Sequence, residues 1–113
     1  MSVPDEDLYF ISMAARLLEM HPQTLRKYER LGLVQPARTM GSMRLYSRDQ
    51  LERLKLIKHL VDDAGVNLAG VRRLLTIAES LERIRPLMTR QTERHARRRL
   101  IEEIERISEI VGL

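Results

Sequence analysis

Two helix-forming stretches stand only two residues apart. "SMAARLLEM" carries Ala14, Leu17 and Leu18 as an apolar stripe, with Ser12 as the expected cap. "PQTLRKYERL" opens on Pro22, which suits a first helical turn because its missing N–H would be unpaired there. It closes at Gly32, a residue suited to the position just past a helix end. The link between them is Met20 and His21, with His21 expected in the turn as a cap or a backbone contact. A link that short forces the pair into a tight helix-turn-helix.

The rest of the chain builds on that pair. In "QPARTMGSMRLYS", Pro36 blocks a helix start, Met40, Gly41 and Ser42 are turn-like, and "MRLY" alternates as a strand does. This predicts a small β-hairpin, a wing. Ser47 and Gln50 form a capping box ahead of a third helix bearing Leu51, Leu54, Ile57 and Leu60/Val61. Gly65 breaks that helix, and Asn67 caps a fourth with Leu68, Val71, Leu74 and Leu75 inward. Leu100, Ile104, Ile107 and Val111 then recur at four, three and four, the rhythm of a coiled coil. Ile77, Leu81, Ile84 and Met88 repeat it in another phase, and a kink or helix boundary is expected near Pro86. The fold expected is mainly α: a winged helix-turn-helix head with a small β-hairpin wing, followed by a long coiled-coil dimerisation helix. Residues 1–80 form the DNA-binding part and residues 81–113 the dimerisation helix. Leu100, Ile104, Ile107 and Val111 form the dimer interface, since a lone helix cannot bury that stripe.

Charge sharpens the reading. The 113-residue chain carries a net +4 with a pI of about 10, a weak pointer to nucleic acid on its own. Residues 1–46 hold six Lys/Arg against five Asp/Glu, while Arg83 to Arg99 holds seven arginines against Glu93 alone. The absence of cysteine removes disulfides, zinc fingers and thiolate metal sensing. His21, His59 and His95 fall on three separate elements, so no metal site is expected. No Gly-rich phosphate loop and no nucleophile–base arrangement is present, which argues against an enzyme or a bound cofactor. No segment approaches the roughly 18 apolar residues of a membrane span, and the acidic "MSVPDEDLYF" is unlike a signal peptide. A cytoplasmic, nucleoid-associated location is the expectation.

The second helix of the pair presents Gln23, Thr24 and Lys27, flanked by Arg26 and Arg30, opposite Leu25 and Leu31. In a helix-turn-helix the start of this helix meets base edges in the major groove. Gln bonds adenine, Lys and Arg favour guanine, and Thr touches the thymine methyl. Tyr28 and Arg44 of the wing are placed to reach phosphates. A solvated helix with Arg26 and Arg30 paired to Glu29 and neighbours is the plainer alternative. The tight turn before it and the Arg-bearing hairpin after it favour DNA.

"HPQTLRKYERLGLVQPAR", "RLYSRDQLERLKLIKHL" and "GVNLAGVRRLL" together resemble the MerR family of bacterial transcription regulators, over roughly residues 9 to 76. The matching residues are Thr24, Leu25, Arg26, Tyr28 and Glu29, then Arg44, Tyr46 and Ser47, then Leu68 and Val71. Tyr46 joins the DNA-contact set through this motif. His21-Pro22-Gln23-Thr24 and "NLAGVRRLL" resemble the heat-shock repressor (HspR) branch. The resemblance implies a homodimer joined by an antiparallel coiled coil on an inverted-repeat operator. It also implies repression of chaperone genes, with the DnaK chaperone as a candidate co-repressor. A chain ending at Leu113 is expected to leave no room for the ligand- or metal-binding domain that many MerR-type proteins carry.

"RHARRRL", Arg94 to Leu100, has two readings. One is a solvated coiled-coil face with Glu93–Arg97, Arg98–Glu102 and Arg99–Glu103 at i,i+4. The other is a docking surface for an acidic partner or DNA phosphates. Met13, Met20, Met40, Met43 and Met88 are too spread to read as more than packing and turn positions. Two other functions stay open: a MerR-type activator that distorts a promoter spacer, and a coiled-coil adaptor that binds no DNA.

Overall fold

A computed structural model of the chain describes residues 7–88 and 94–113. Its elements run β1 (Leu8–Phe10), α1 (Ile11–Leu18), α2 (Pro22–Arg30), β2 (Ala37–Arg38), β3 (Arg44–Ser47), α3 (Arg48–Lys58), a π-helical turn (His59–Asp63), α4 (Leu68–Met88) and α5 (Arg94–Val111). The chain divides into two compact units between Gly65 and Val66. None of the described helices is long and apolar enough to cross a membrane.

The first unit is built around the helix-turn-helix. α1 ends on Glu19 in the left-handed conformation, at φ 54°. The Met20 N–H then donates back to the Ala15 carbonyl at 2.9 Å, which turns the chain within two residues. His21 caps α2: its Nδ1 accepts from the Gln23 N–H at 3.0 Å, and Pro22 fills the first turn. Gly32, at φ 76°, closes α2 as expected; the Gly32 and Leu33 N–H groups return to the Glu29 and Tyr28 carbonyls, both at 2.9 Å. Lys58 of α3 donates to the Leu18 carbonyl at 2.9 Å, at the end of α1.

The Ser47–Gln50 capping box forms as read. Leu51, Leu54 and Ile57 of α3 are buried and share the core with Ala14, Ala15, Leu18, Leu25, Tyr28, Leu33, Val34 and Tyr46. Several local expectations differ from the outcome. Ser12 lies inside α1, which has no side-chain cap, and Ala15 is buried in place of Leu17, which is 53% exposed. The wing is part of a three-stranded antiparallel sheet of order β1-β3-β2, because Leu8–Phe10 pairs with β3, Tyr9 opposite Tyr46. Leu60 and Val61 fall in the π-helical turn beyond α3.

In the second unit Asn67 caps α4 as read, its Oδ1 accepting from Gly70 N–H at 2.8 Å. α4 runs through Pro86 to Met88. The helix boundary expected near Pro86 therefore falls two residues beyond it, at Met88. α4 and α5 lie antiparallel: Arg83 reaches Glu103 at 3.0 Å and Arg73 donates to the Ile110 carbonyl at 3.1 Å. α4, expected to belong with the DNA-binding part, therefore packs along the expected dimerisation helix. Ser80, Ala96 and Glu103 are buried. Glu103 is engaged by Arg83 and, at 3.4 Å, by Arg106, where Arg99 was the expected partner. Glu93, expected to pair with Arg97, lies outside the described residues.

Ile57 has no exposed surface, so Ile57→Ala removes buried methyl groups and leaves a cavity. A loss of about 2–5 kcal/mol in unfolding free energy is expected, measured by urea denaturation of the full chain.

Candidate nucleic-acid interface

α2 positions its side chains by helical spacing. Gln23, Lys27 and Arg30, at i, i+4 and i+7, share one stripe, and all three are exposed. Thr24 and Arg26 flank them and are half-exposed. Leu25, with no exposed surface, faces the opposite way into the core. Arg26 Nη1 donates to Gln23 Oε1 at 3.3 Å, which orients the amide of Gln23.

Glu29, next to this stripe, does something the sequence did not disclose. Its carboxylate accepts from Arg38 Nη2 at 2.7 Å and from Arg44 Nε through its other oxygen. Arg38 lies on β2 and Arg44 on β3, so one carboxylate ties α2 to both strands of the wing. Burial alone would raise the Glu29 pKa. The hydrogen bond and charge of Arg44, then those of Arg38, outweigh it and hold the carboxyl below its ordinary value. Arg38 also donates to the Ser42 carbonyl at 3.0 Å, and Met43 N–H donates to Thr39 Oγ1 at 3.1 Å, which together set the wing tip.

The candidate contact residues therefore separate. Gln23, Thr24, Arg26, Lys27 and Arg30 form one accessible surface. Arg44 is held on Glu29 with its side chain 25% exposed. Tyr28 and Tyr46 lie in the core, at 6% and 0% exposure. Burial, and secondarily the charge of Asp62, holds the Tyr28 phenol above its usual pKa. Burial first, then Glu29, raises Tyr46, whose hydroxyl has no hydrogen-bond partner among the described residues. Among those residues no group of three or more His, Asp or Glu is arranged to hold a metal ion.

This helix, turn and wing match the model of the MerR HTH family of regulatory proteins over residues 9–76. The chain belongs to the MerR family. Relatives within it include the Streptomyces coelicolor protein named "Putative heat shock protein HspR", 49% identical over 73 residues, which are 65% of this chain and 48% of that protein. The HTH-type transcriptional regulator ZntR of Escherichia coli is 38% identical over 71 residues, 62% of this chain and 50% of that protein. The match thus covers about half the length of these curated relatives. Among solved structures, the MerR family regulator HiNmlR, which lacks the sensor domain and is bound to promoter DNA, superposes with a TM-score of 0.58 at 25% identity. That superposition covers 91% of this chain and 80% of the other.

The clamp gives a pH signature with a definite sign. A carboxyl whose folded pKa is depressed adds stability that is present above the unfolded value of 4.5 and is lost as pH falls through the folded value. Glu29→Gln should lower stability by about 1–3 kcal/mol at neutral pH. It should also remove that part of the acid dependence of thermal melting below about pH 4.

Proposed function

We propose that the protein is a dimeric MerR-type repressor that reads an inverted-repeat operator with α2 and represses heat-shock or chaperone genes. The carrying observation is the Gln23–Lys27–Arg30 stripe, exposed and backed by the Leu25 core, beside a wing fixed on Glu29. Lys27 and Gln23 carry base readout. Arg30 and Arg26 supply charge toward phosphates, with the wing alongside. The assignment of residues 1–80 to DNA binding and 81–113 to dimerisation is carried into this reading with one change: Leu74, on α4, joins the dimer face. Its setting is the bacterial cytoplasm, on the nucleoid. The heat-shock reading draws on the kinship to the Streptomyces coelicolor relative. DnaK is the co-repressor proposed for it, tested by operator affinity with and without the purified chaperone; no change at any temperature ends that part.

The dimer reading draws support from the α4–α5 hairpin. Leu74, Leu81 and Met88 on α4, and Ile101, Ile104 and Val111 on α5, are 37–62% exposed. In an antiparallel pair, both rows turn in the same sense away from the contact line, so they emerge on one face. Leu100 and Ile107, expected in the interface, are half-buried at the edge of that row, and Ile101 joins it.

Two measurements test the proposal. Gln23→Ala or Lys27→Ala should cost roughly 1–3 kcal/mol on a selected operator and relax preference among duplexes. Arg30→Ala should weaken all duplexes alike and flatten the salt dependence. Unchanged preference after both base-reading changes would remove α2 from the groove. Separately, Ile104→Asp places a charge in the apolar row, and monomers are expected in sedimentation at micromolar concentration. A variant that stays dimeric moves the interface elsewhere.

A further inference from the structure

The charges of α5 are arranged against its own helix dipole. Its first turn holds no acidic residue and its last turn no basic one. Arg94, Arg97, Arg98 and Arg99 crowd the N-terminal half, and Glu102, Glu105 and Glu109 the C-terminal half. A lone helix prefers the opposite order, with acids at its N-terminus and bases at its C-terminus. α4 compensates only in part: Arg73 serves the Ile110 carbonyl at the C-terminal end. Among the described residues, Arg94, Arg97, Arg98, Arg99, Glu102, Glu105 and Glu109 form no ion pair, and all seven are exposed. Glu102, Glu105 and Glu109 border an open groove of about 540 Å³ on α5, together with Arg106, the one base of this half, which is paired with Glu103.

The apolar row and the charges share one ridge system. Arg97, Ile101, Ile104, Ser108 and Val111 follow each other at four, three, four and three, so Arg97 ends the row that Ile101 and Ile104 occupy. Arg97, Ile101 and Glu105 also stack at i, i+4 and i+8. An antiparallel second copy set with Ile101 against Ile104 brings Arg97 level with Ser108 of that copy. Its Glu105 and Glu109 then lie within a few ångströms along the axis, given a rise of about 1.5 Å per residue. Sliding the copies so that Ile101 meets Val111 carries Arg97 beyond the partner's helix and leaves both charge clusters unmatched. A parallel copy sets base against base and acid against acid.

We infer that the basic N-terminal half of α5, through Arg94 and Arg97, docks on the acidic C-terminal half of α5 in a second copy, through Glu105 and Glu109, and that this pairing fixes the antiparallel orientation and register of the dimer. The inference rests on the dimer reading above and adds the determinant of its geometry. It also accounts for the inverted charges: each helix end is neutralised by the other copy.

The test is a charge swap in the full chain. One variant carries Arg94→Glu and Arg97→Glu, and another carries Glu105→Arg and Glu109→Arg. Both leave the apolar row intact. Arg94→Glu and Arg97→Glu put acids where the helix dipole favours them, so loss of helix does not account for weaker association. By sedimentation equilibrium at low ionic strength, each homodimer should weaken by about ten-fold or more, while the equimolar mixture forms heterodimers close to wild-type affinity. A chain carrying all four changes has an unaltered net charge and should regain the wild-type homodimer, which separates register from overall charge. Added salt should shrink every difference. A wild-type chain that stays monomeric overturns the dimer reading and the register with it. A wild-type dimer whose two variants homodimerise as tightly as it does, or whose four-change chain stays weak, overturns the register and leaves the dimer standing.

Discussion

The carboxylate of Glu29 sets the geometry of the reading surface. β2 has two residues and β3 four, too few ladder bonds to aim a hairpin by themselves. Glu29 supplies what they lack, because Arg38 and Arg44 approach it from separate strands while it stays anchored to α2. With its partners part-exposed, the clamp as a whole contributes about 1–3 kcal/mol, a sizeable share beside the 5–15 kcal/mol typical of a whole domain. The clamp also changes the charge that faces outward. Two wing arginines are drawn toward a carboxylate, leaving the Arg44 side chain 25% and the Arg38 side chain 42% exposed, while Lys27 and Arg30 of the stripe stay exposed. In the reading proposed above, affinity and alignment fall to different residues: the clamp aligns the wing, and the α2 stripe is the contact surface.

What the sequence disclosed was local. The His21–Pro22 turn, the Ser47–Gln50 capping box and the Asn67 cap each depend on residues within three positions of one another, and each formed as read. What it concealed depends on distant partners. Arg44, expected at phosphates, is also held through its Nε by Glu29, fifteen residues away. Tyr46, a DNA-contact candidate by its motif alone, has no exposed surface. β1 is three residues long, too short to show alternation, and only its pairing with β3 makes it a strand. In α1 the choice between Ala15 and Leu17 rested on the direction of a core that α3 supplies, and helical spacing alone favoured the larger side chain.

The coiled-coil stripe shows the same limit. Leu100, Ile104, Ile107 and Val111 fit a heptad, but so do Ile101, Ile104, Ser108 and Val111, one phase apart. α4 decides between them. It occupies the face that holds Ala96 and Glu103 and half-covers Leu100 and Ile107. The apolar row left open is therefore the one that contains Ile101. An apolar helix presented with a second helix behind it is stiffer than a lone coiled-coil strand, so less ordering entropy is lost when a second copy docks.

The proposed interface, a short apolar row flanked by exposed charge pairs, is modest, and modesty has a consequence for the proposed repressor. The row on α5 offers three exposed branched side chains, Ile101, Ile104 and Val111. Exposed ion pairs contribute mainly orientation and are screened by salt. In the dimer proposed, one subunit reads one half-site, and tight binding requires both half-sites at the spacing the dimer imposes. Occupancy then falls with dimer concentration as well as with operator affinity. Because a dimer's stability depends on protomer concentration, a rise in temperature that weakens the interface acts twice, through the association of the chains and through the loss of the second half-site. In the proposed dimer, this coupling by itself favours release on heating, before any partner protein adds its own control.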